Sequence, residues 1–113
     1  AGKVVAHADA AGATMVKAYT SLPAATLGEV ARHARARGMA VVGHLPAGVP
    51  LSEAVASIDL VAHSEEFDQL LGARATDDAI DAAITSLLEH GTAVSPTLAV
   101  VAAIGAHATD PDA

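Results

Sequence analysis

Three side chains offer chemistry in this sequence. Lys17 lies in Met15-Val16-Lys17-Ala18-Tyr19, His44 closes Ala40-Val41-Val42-Gly43-His44, and His63 closes Ile58-Asp59-Leu60-Val61-Ala62-His63. Neutral imidazole is a good ligand for zinc and similar divalent ions. A lysine amine is a poor ligand at neutral pH, because its reference pKa of about 10.4 keeps it protonated. Burial or a neighbouring cation lowers that pKa and leaves a nucleophilic amine. Such an amine can take up carbon dioxide and become a carbamate, an anionic bidentate group able to bridge two metal ions. Two ions about 3.5–4 Å apart can hold a hydroxide between them and polarise a carbonyl. Taken singly, each histidine reads as a hydrogen-bonded structural residue and Lys17 as a snorkelling lysine. Their recurrence late in three successive segments of one kind favours a metal site.

Those segments must be positioned by the elements around them. Each is short and apolar, as expected of a buried parallel strand covered on both faces. A lysine inside such a strand is costly unless neutral, paired or bound. The histidines then lie at carboxyl ends, where parallel α/β folds place their chemistry. The first strand is read over Thr14–Thr20, the second over Ala40–His44 and the third over Ile58–His63. Ala1–Ala11 precedes them as a helix closed by Gly12. After Ser21-Leu22-Pro23 a helix carries Leu27, Val30, Ala31 and Ala34 on one face and ends at Gly38. A turn-rich loop, Pro46-Ala47-Gly48-Val49-Pro50, leads to a short helix over Leu51–Ala56. Ser64–Phe67 reads as a loop, and Asp68–Ala75 has no clear period. Thr76 caps a helix with Asp77 and Asp78 in its positive first turn. Ile80, Ala83, Ile84, Leu87 and Leu88 form its apolar stripe, and Gly91 closes it. Thr92–Thr97 is a fourth strand, Leu98–Gly105 opens a last helix, and His107–Ala113 reads as a frayed tail. The fold class is therefore α/β, with about four parallel β/α units and right-handed crossovers. A small doubly wound sheet and a partial (β/α)8 barrel both satisfy this pattern.

Composition narrows the function classes. The chain has 113 residues, 52% of them hydrophobic but only 2% aromatic, so its core must be built from Ala, Val, Leu and Ile. A formal charge of −7 argues against nucleic acid and anionic membrane surfaces as partners. With no cysteine there is neither a disulfide framework nor a thiolate metal site. No apolar run reaches the roughly 18–20 residues that span a bilayer, and neither end has a signal-peptide pattern. A cytoplasmic location is expected, with a periplasmic or secreted one left open.

The segments MVKAYTSLP, AVVGHLPAGV and DLVAHSEEF, in this order and spacing, resemble strands four, five and six of the amidohydrolase superfamily barrel. The likeness is to its imidazolonepropionase-like and prolidase-like branch. It rests on Lys-x-Tyr in the fourth strand, Gly-His-x-Pro in the fifth and Asp-x-x-x-His in the sixth. VSPTL at Val94–Leu98 resembles the seventh. The resemblance implies a metal-dependent hydrolase acting on an amide or dipeptide through a metal-bridging hydroxide. It implies a binuclear divalent centre, zinc in the first instance, with carbon dioxide needed to carboxylate Lys17. Lys17 matches the bridging lysine, His44 and His63 match the two histidines on one metal, and Tyr19 lies in the matched motif as a substrate contact. The family's His-x-His and last-strand aspartate have no counterpart in the sequence, and Asp110 and Asp112 follow no strand. Ala62 stands where the family often has glutamate. The resemblance thus implies a single domain, residues 1–113, that forms the C-terminal half of a catalytic barrel and is inactive alone.

The other ionisable residues read as structural or solvated. His7 and His33 lie on polar helix faces, His90 suits the negative end of its helix, and His107 lies in the tail. Glu65 and Glu66, just beyond the third strand, are within reach of a site but read first as a solvated loop pair, and Pro96 and Thr97 read as strand termination rather than substrate contact. Arg32, Arg35 and Arg37 make a basic helix face too short for nucleic acid. A second reading is a non-catalytic α/β module whose histidines are structural and whose open sheet edges favour association, including a homo-oligomer.

Overall fold

The computed structural model describes residues 1–72 and 74–109. Its elements run α1 (Gly2–Ala10), β1 (Met15–Ala18), α2 (Ala24–Arg35), β2 (Ala40–Gly43), α3 (Leu51–Val55), β3 (Leu60–Val61), α4 (Glu65–Leu71), α5 (Asp77–His90), β4 (Ala93–Val94) and α6 (Leu98–Thr109). The four strands form one all-parallel sheet in the order β1-β2-β3-β4. The chain is therefore an α/β protein in which every strand reaches the next through helix. Strand order never reverses, so the sheet has no topological switch point of the doubly wound kind. The regular strands are shorter than the apolar runs that encode them. Parallel bonds nevertheless continue past them: Asp59 N–H donates to the Val41 carbonyl at 2.8 Å, Ala62 N–H to Gly43 at 2.8 Å, and Ser95 N–H to Val61 at 2.9 Å.

Helix ends follow local chemistry. Gly12, at φ +83°, closes α1: its N–H donates to the Asp9 carbonyl at 2.9 Å, and Ala13 N–H donates to Ala8 at 3.0 Å. Thr76 caps α5, its hydroxyl oxygen accepting from Ala79 N–H at 3.3 Å, and Gly91 ends that helix in the left-handed region. Pro23 stands at the N-cap of α2 rather than within its first turn.

The core lies on one side of the sheet. Ala18, Val41 and Val61 point to it and meet Val5 of α1, Leu27, Ala31 and Ala34 of α2, and Ala54 and Val55 of α3. Val30 packs against this cluster, so the expected face of α2 is the buried one. The opposite face of the sheet is open. Met15 and Lys17 are exposed there, and Val42 and Leu60 are only half-buried. The apolar runs predict strands covered on both faces. They are apolar on both, but the helices pack on one.

Three further expectations change. Residues 65–71, which read as loop and aperiodic sequence, form α4. Its period is hidden because the buried position of its first turn holds a carboxylate, Glu66. Glu65, Glu66 and Asp68 all favour the positive end of that helix, Phe67 packs on the core, and Gly72 at φ +79° terminates it. On α5, Ala83 is buried and Leu87 touches the core, but Ile80, Ile84 and Leu88 are exposed. Ile80, Ile84 and Leu87 instead wall an open apolar cleft of about 300 Å³ facing Phe67 and Leu71 of α4. Helix α6 runs through His107, which is therefore not part of a frayed tail, while Asp110 and Asp112 lie outside the described residues. No helix among the described residues is long and apolar enough to cross a membrane.

Candidate metal centre

The site begins with a glycine. Gly43 ends β2 at φ +144°, and a Cβ there would run into the backbone carbonyl of Ala18 on β1. That carbonyl accepts from His44 N–H at 3.3 Å. The close approach carries the chain directly into His44 at the carboxyl edge of the sheet. His63 follows β3 by two residues and reaches the same edge. The ring centroids of His44 and His63 are 4.9 Å apart, with the planes tilted by 39°. Tyr19, one residue past β1, sets the edge of its ring against His44, with centroids 4.7 Å apart and planes at 69°.

Each histidine is held through Nδ1. Glu66 is 6% exposed, and its Oε1 lies 2.5 Å from His44 Nδ1. The other carboxylate oxygen accepts from Leu45 N–H at 3.2 Å. His63 Nδ1 is 3.3 Å from the Thr97 hydroxyl, which in turn donates to Glu65 Oε2 at 3.3 Å. Glu65 Oε1 lies 3.7 Å from the same ring nitrogen. Thr97 adopts φ +44°, a conformation a β-branched residue rarely takes. Ser64 fastens this corner by donating to the Pro96 carbonyl at 2.6 Å. Neither Nε2 has a hydrogen-bond partner among the described residues.

The ring spacing of His44 and His63 can be compared with that of two imidazoles on one divalent ion. An imidazole nitrogen binds zinc at about 2.0–2.1 Å, which puts the ring centroid about 3.2 Å from the ion. Two imidazoles at a tetrahedral angle then have centroids about 5 Å apart. His44 and His63 have that spacing, and each carries the outer carboxylate or hydroxyl partner that orients metal-binding histidines. No group of three or more His, Cys, Asp or Glu side chains that could hold a metal occurs among the described residues.

Lys17 stands apart from the pair. It is exposed on the open face of the sheet, and its backbone aligns with Val42, two residues before His44. At about 3.3 Å per residue this puts it roughly 7 Å lower along the sheet. Its ammonium group has no ion-pair or hydrogen-bond partner among the described residues. The expected burial of Lys17 is absent because no helix among the described residues covers that face. Tyr19 is 61% exposed, and its ring rests on His44 with the hydroxyl unpartnered among the described residues.

Other candidates fall elsewhere. His90 Nδ1 donates to the Ser86 carbonyl at 2.9 Å in the last turn of α5, a structural role. His33 is half-buried against Gly2 and pairs with Arg32 at 3.0 Å, so it is less solvated than expected. Asp59 accepts from Arg35 at 2.9 Å and from Val41 N–H at 2.7 Å, tying down the amino end of β3. Glu66, Glu65 and Thr97 read as solvated or terminating in the sequence, yet all three contact the histidines. Beside Glu66 an open cleft of about 370 Å³ is lined by Thr20, Leu45, Pro46, Gln69 and Leu70. It is large enough for a small substrate group and carries Glu66 as its one ionisable wall. No protein-family model matches the chain, and a search of curated proteins finds no match.

Proposed function

We propose that this chain forms one side of the active site of a metal-dependent hydrolase that cleaves amide bonds in small molecules or dipeptides. The observation that carries the reading is the His44–His63 pair at the carboxyl edge of a singly wound parallel sheet, each ring held through Nδ1. The motifs around Lys17, His44 and His63 support the amidohydrolase superfamily as the source of this arrangement. In it the sheet is four strands of a (β/α)8 barrel, and its open face is the barrel interior. His44 and His63 would hold a divalent ion, zinc or a similar metal, through Nε2. Such an ion supplies Lewis acidity toward a carbonyl oxygen and makes water a nucleophile at neutral pH. Glu66 and Thr97 keep the two rings in place. The Tyr19 hydroxyl, beside the His44 ring and unpartnered among the described residues, is available to a substrate. Lys17, as a carbamate, would add an anionic oxygen ligand to a binuclear centre once the open face is covered. A proton donor for the leaving amine is a further requirement that no described residue of the chain fulfils.

The test is calorimetric titration with Zn²⁺, paired with assay of dipeptides and N-acyl amides. The isolated chain should bind zinc weakly and turn over nothing. The double replacement His44→Asn with His63→Asn should abolish the weak binding. Tight stoichiometric zinc binding with hydrolysis by the isolated chain would overturn the half-site reading; zinc binding unchanged in the double variant would overturn the assignment of the ligands. The open sheet face and the exposed Ile84 and Leu88 favour a second reading, a non-catalytic module that associates with copies of itself. That reading expects the double variant to bind zinc and to associate as the parent does.

A further inference from the structure

We infer that Glu66 and the Glu65–Thr97 pair are positioning residues that lock His44 and His63 in the same tautomer, with hydrogen on Nδ1 and both Nε2 lone pairs free for one ion. The inference rests on the reading of these histidines as ligands, but its first measurement needs no metal.

An ionised carboxylate only accepts. Both oxygens of buried Glu66 are occupied, one by Leu45 N–H at 3.2 Å and one by His44 Nδ1 at 2.5 Å. An ionised Glu66 therefore takes its hydrogen from His44 Nδ1. The second ring reaches the same state through a relay. Thr97 gives its only hydroxyl hydrogen to Glu65 Oε2 at 3.3 Å, so its oxygen can only accept from His63 Nδ1, also at 3.3 Å. In a neutral imidazole whose Nδ1 is protonated, Nε2 carries the lone pair. Two unrelated devices, a buried carboxylate on one ring and a hydroxyl–carboxylate relay on the other, thus lead to the same tautomer on two rings 4.9 Å apart. A structural role would need neither device to agree with the other. The φ of +44° at Thr97 adds to this, because a β-branched residue is held in a disfavoured conformation at the point where its hydroxyl meets His63.

The decisive observable is the ring nitrogen spectrum of the metal-free chain labelled with ¹⁵N-histidine. Long-range ¹H–¹⁵N correlations above pH 8 should place both His44 and His63 in the Nδ1–H tautomer, against the Nε2–H form that free neutral imidazole side chains prefer. Glu66→Gln has one acceptor where two are needed. If its oxygen keeps Leu45 N–H, its NH₂ faces His44 Nδ1 and drives that ring to the Nε2–H form. His63 should be unaffected in this variant. Thr97→Val should instead release His63 and leave His44 as it was. Each substitution should weaken Zn²⁺ binding by about 10–100-fold, the usual effect of losing such an outer partner. The Nε2–H tautomer at either ring of the parent chain overturns the inference, even if zinc binds, and does so without need of a folded variant. The Nδ1–H tautomer at both rings with no zinc binding at all leaves the positioning intact and removes the hydrolase reading instead.

Discussion

At the scale of single residues, the site depends on a position that has no side chain. Gly43 brings β1 and β2 into contact one residue before His44, with φ at +144° and the Ala18 carbonyl where a Cβ would stand. The clash is with backbone on a paired strand, so no rotamer change relieves it. Gly43→Ala should therefore cost at least about 2–3 kcal/mol, from strain at a disfavoured φ together with displacement of β1. Denaturant titration measures the loss. A Gly43→Ala chain as stable as its parent would mean that β1 and β2 do not approach as described. The same residues show what could be read in advance. His44 and His63 were legible because an imidazole that ends an apolar run must find a polar partner there, and two such rings end neighbouring runs. Glu66 and Thr97 were not, because their roles depend on contacts with residues 22 and 34 positions away in sequence. Lys17 was legible as an anomaly in a strand, but its exposure depends on which face the helices cover.

At the scale of elements, a pattern can be correct and its partner missing. The 3.6-residue period of α5 was visible, as were Thr76 and Gly91 at its ends. The stripe it predicts is buried at Ala83 and open at Ile80, Ile84 and Leu88. Helix α3, which packs against α5, is only five residues long and covers only part of that stripe. Helix α4 could not be read because its buried position carries Glu66, which answers to His44 rather than to a hydrophobic face. These placements separate two neighbouring substitutions. Ala83→Asp puts an unpaired charge against α3 and should destabilise the chain by about 2–4 kcal/mol. Ile84→Lys replaces a residue that is 47% exposed and should change stability by no more than about 0.5 kcal/mol. Thermal or urea unfolding of the two variants checks the pair, and equal losses would contradict the orientation of α5.

At the scale of the whole molecule, the governing fact is that the described residues leave one face of a parallel sheet uncovered. The chain is a slab of 46 × 37 × 21 Å with a radius of gyration of 15.9 Å, against about 13 Å for a compact domain of this length. Sequence order and apolar strands made the α/β class legible. They could not tell whether the second face would be met by helices, as in a doubly wound sheet, or by strands across a barrel. Val41 and Val42 discriminate between these surfaces because they are adjacent and point to opposite sides. Val41 is fully buried under the helices, and Val42 is half-buried on the open face. A carboxylate at Val41 has no partner and no water, so Val41→Asp should unfold the isolated chain. Val42→Asp leaves that core untouched and should keep the circular dichroism and denaturant midpoint close to those of the parent. Its effect should appear only where something covers the open face. If copies of the chain meet there, sedimentation should show Val42→Asp less associated than the parent at equal concentration. If the remainder of a barrel covers it, Val42→Asp should be as destructive as Val41→Asp in a polypeptide that includes that remainder. Tolerance of Val42→Asp in both settings would mean that the face stays open to water, and the barrel reading would then fail together with the role it gives Lys17.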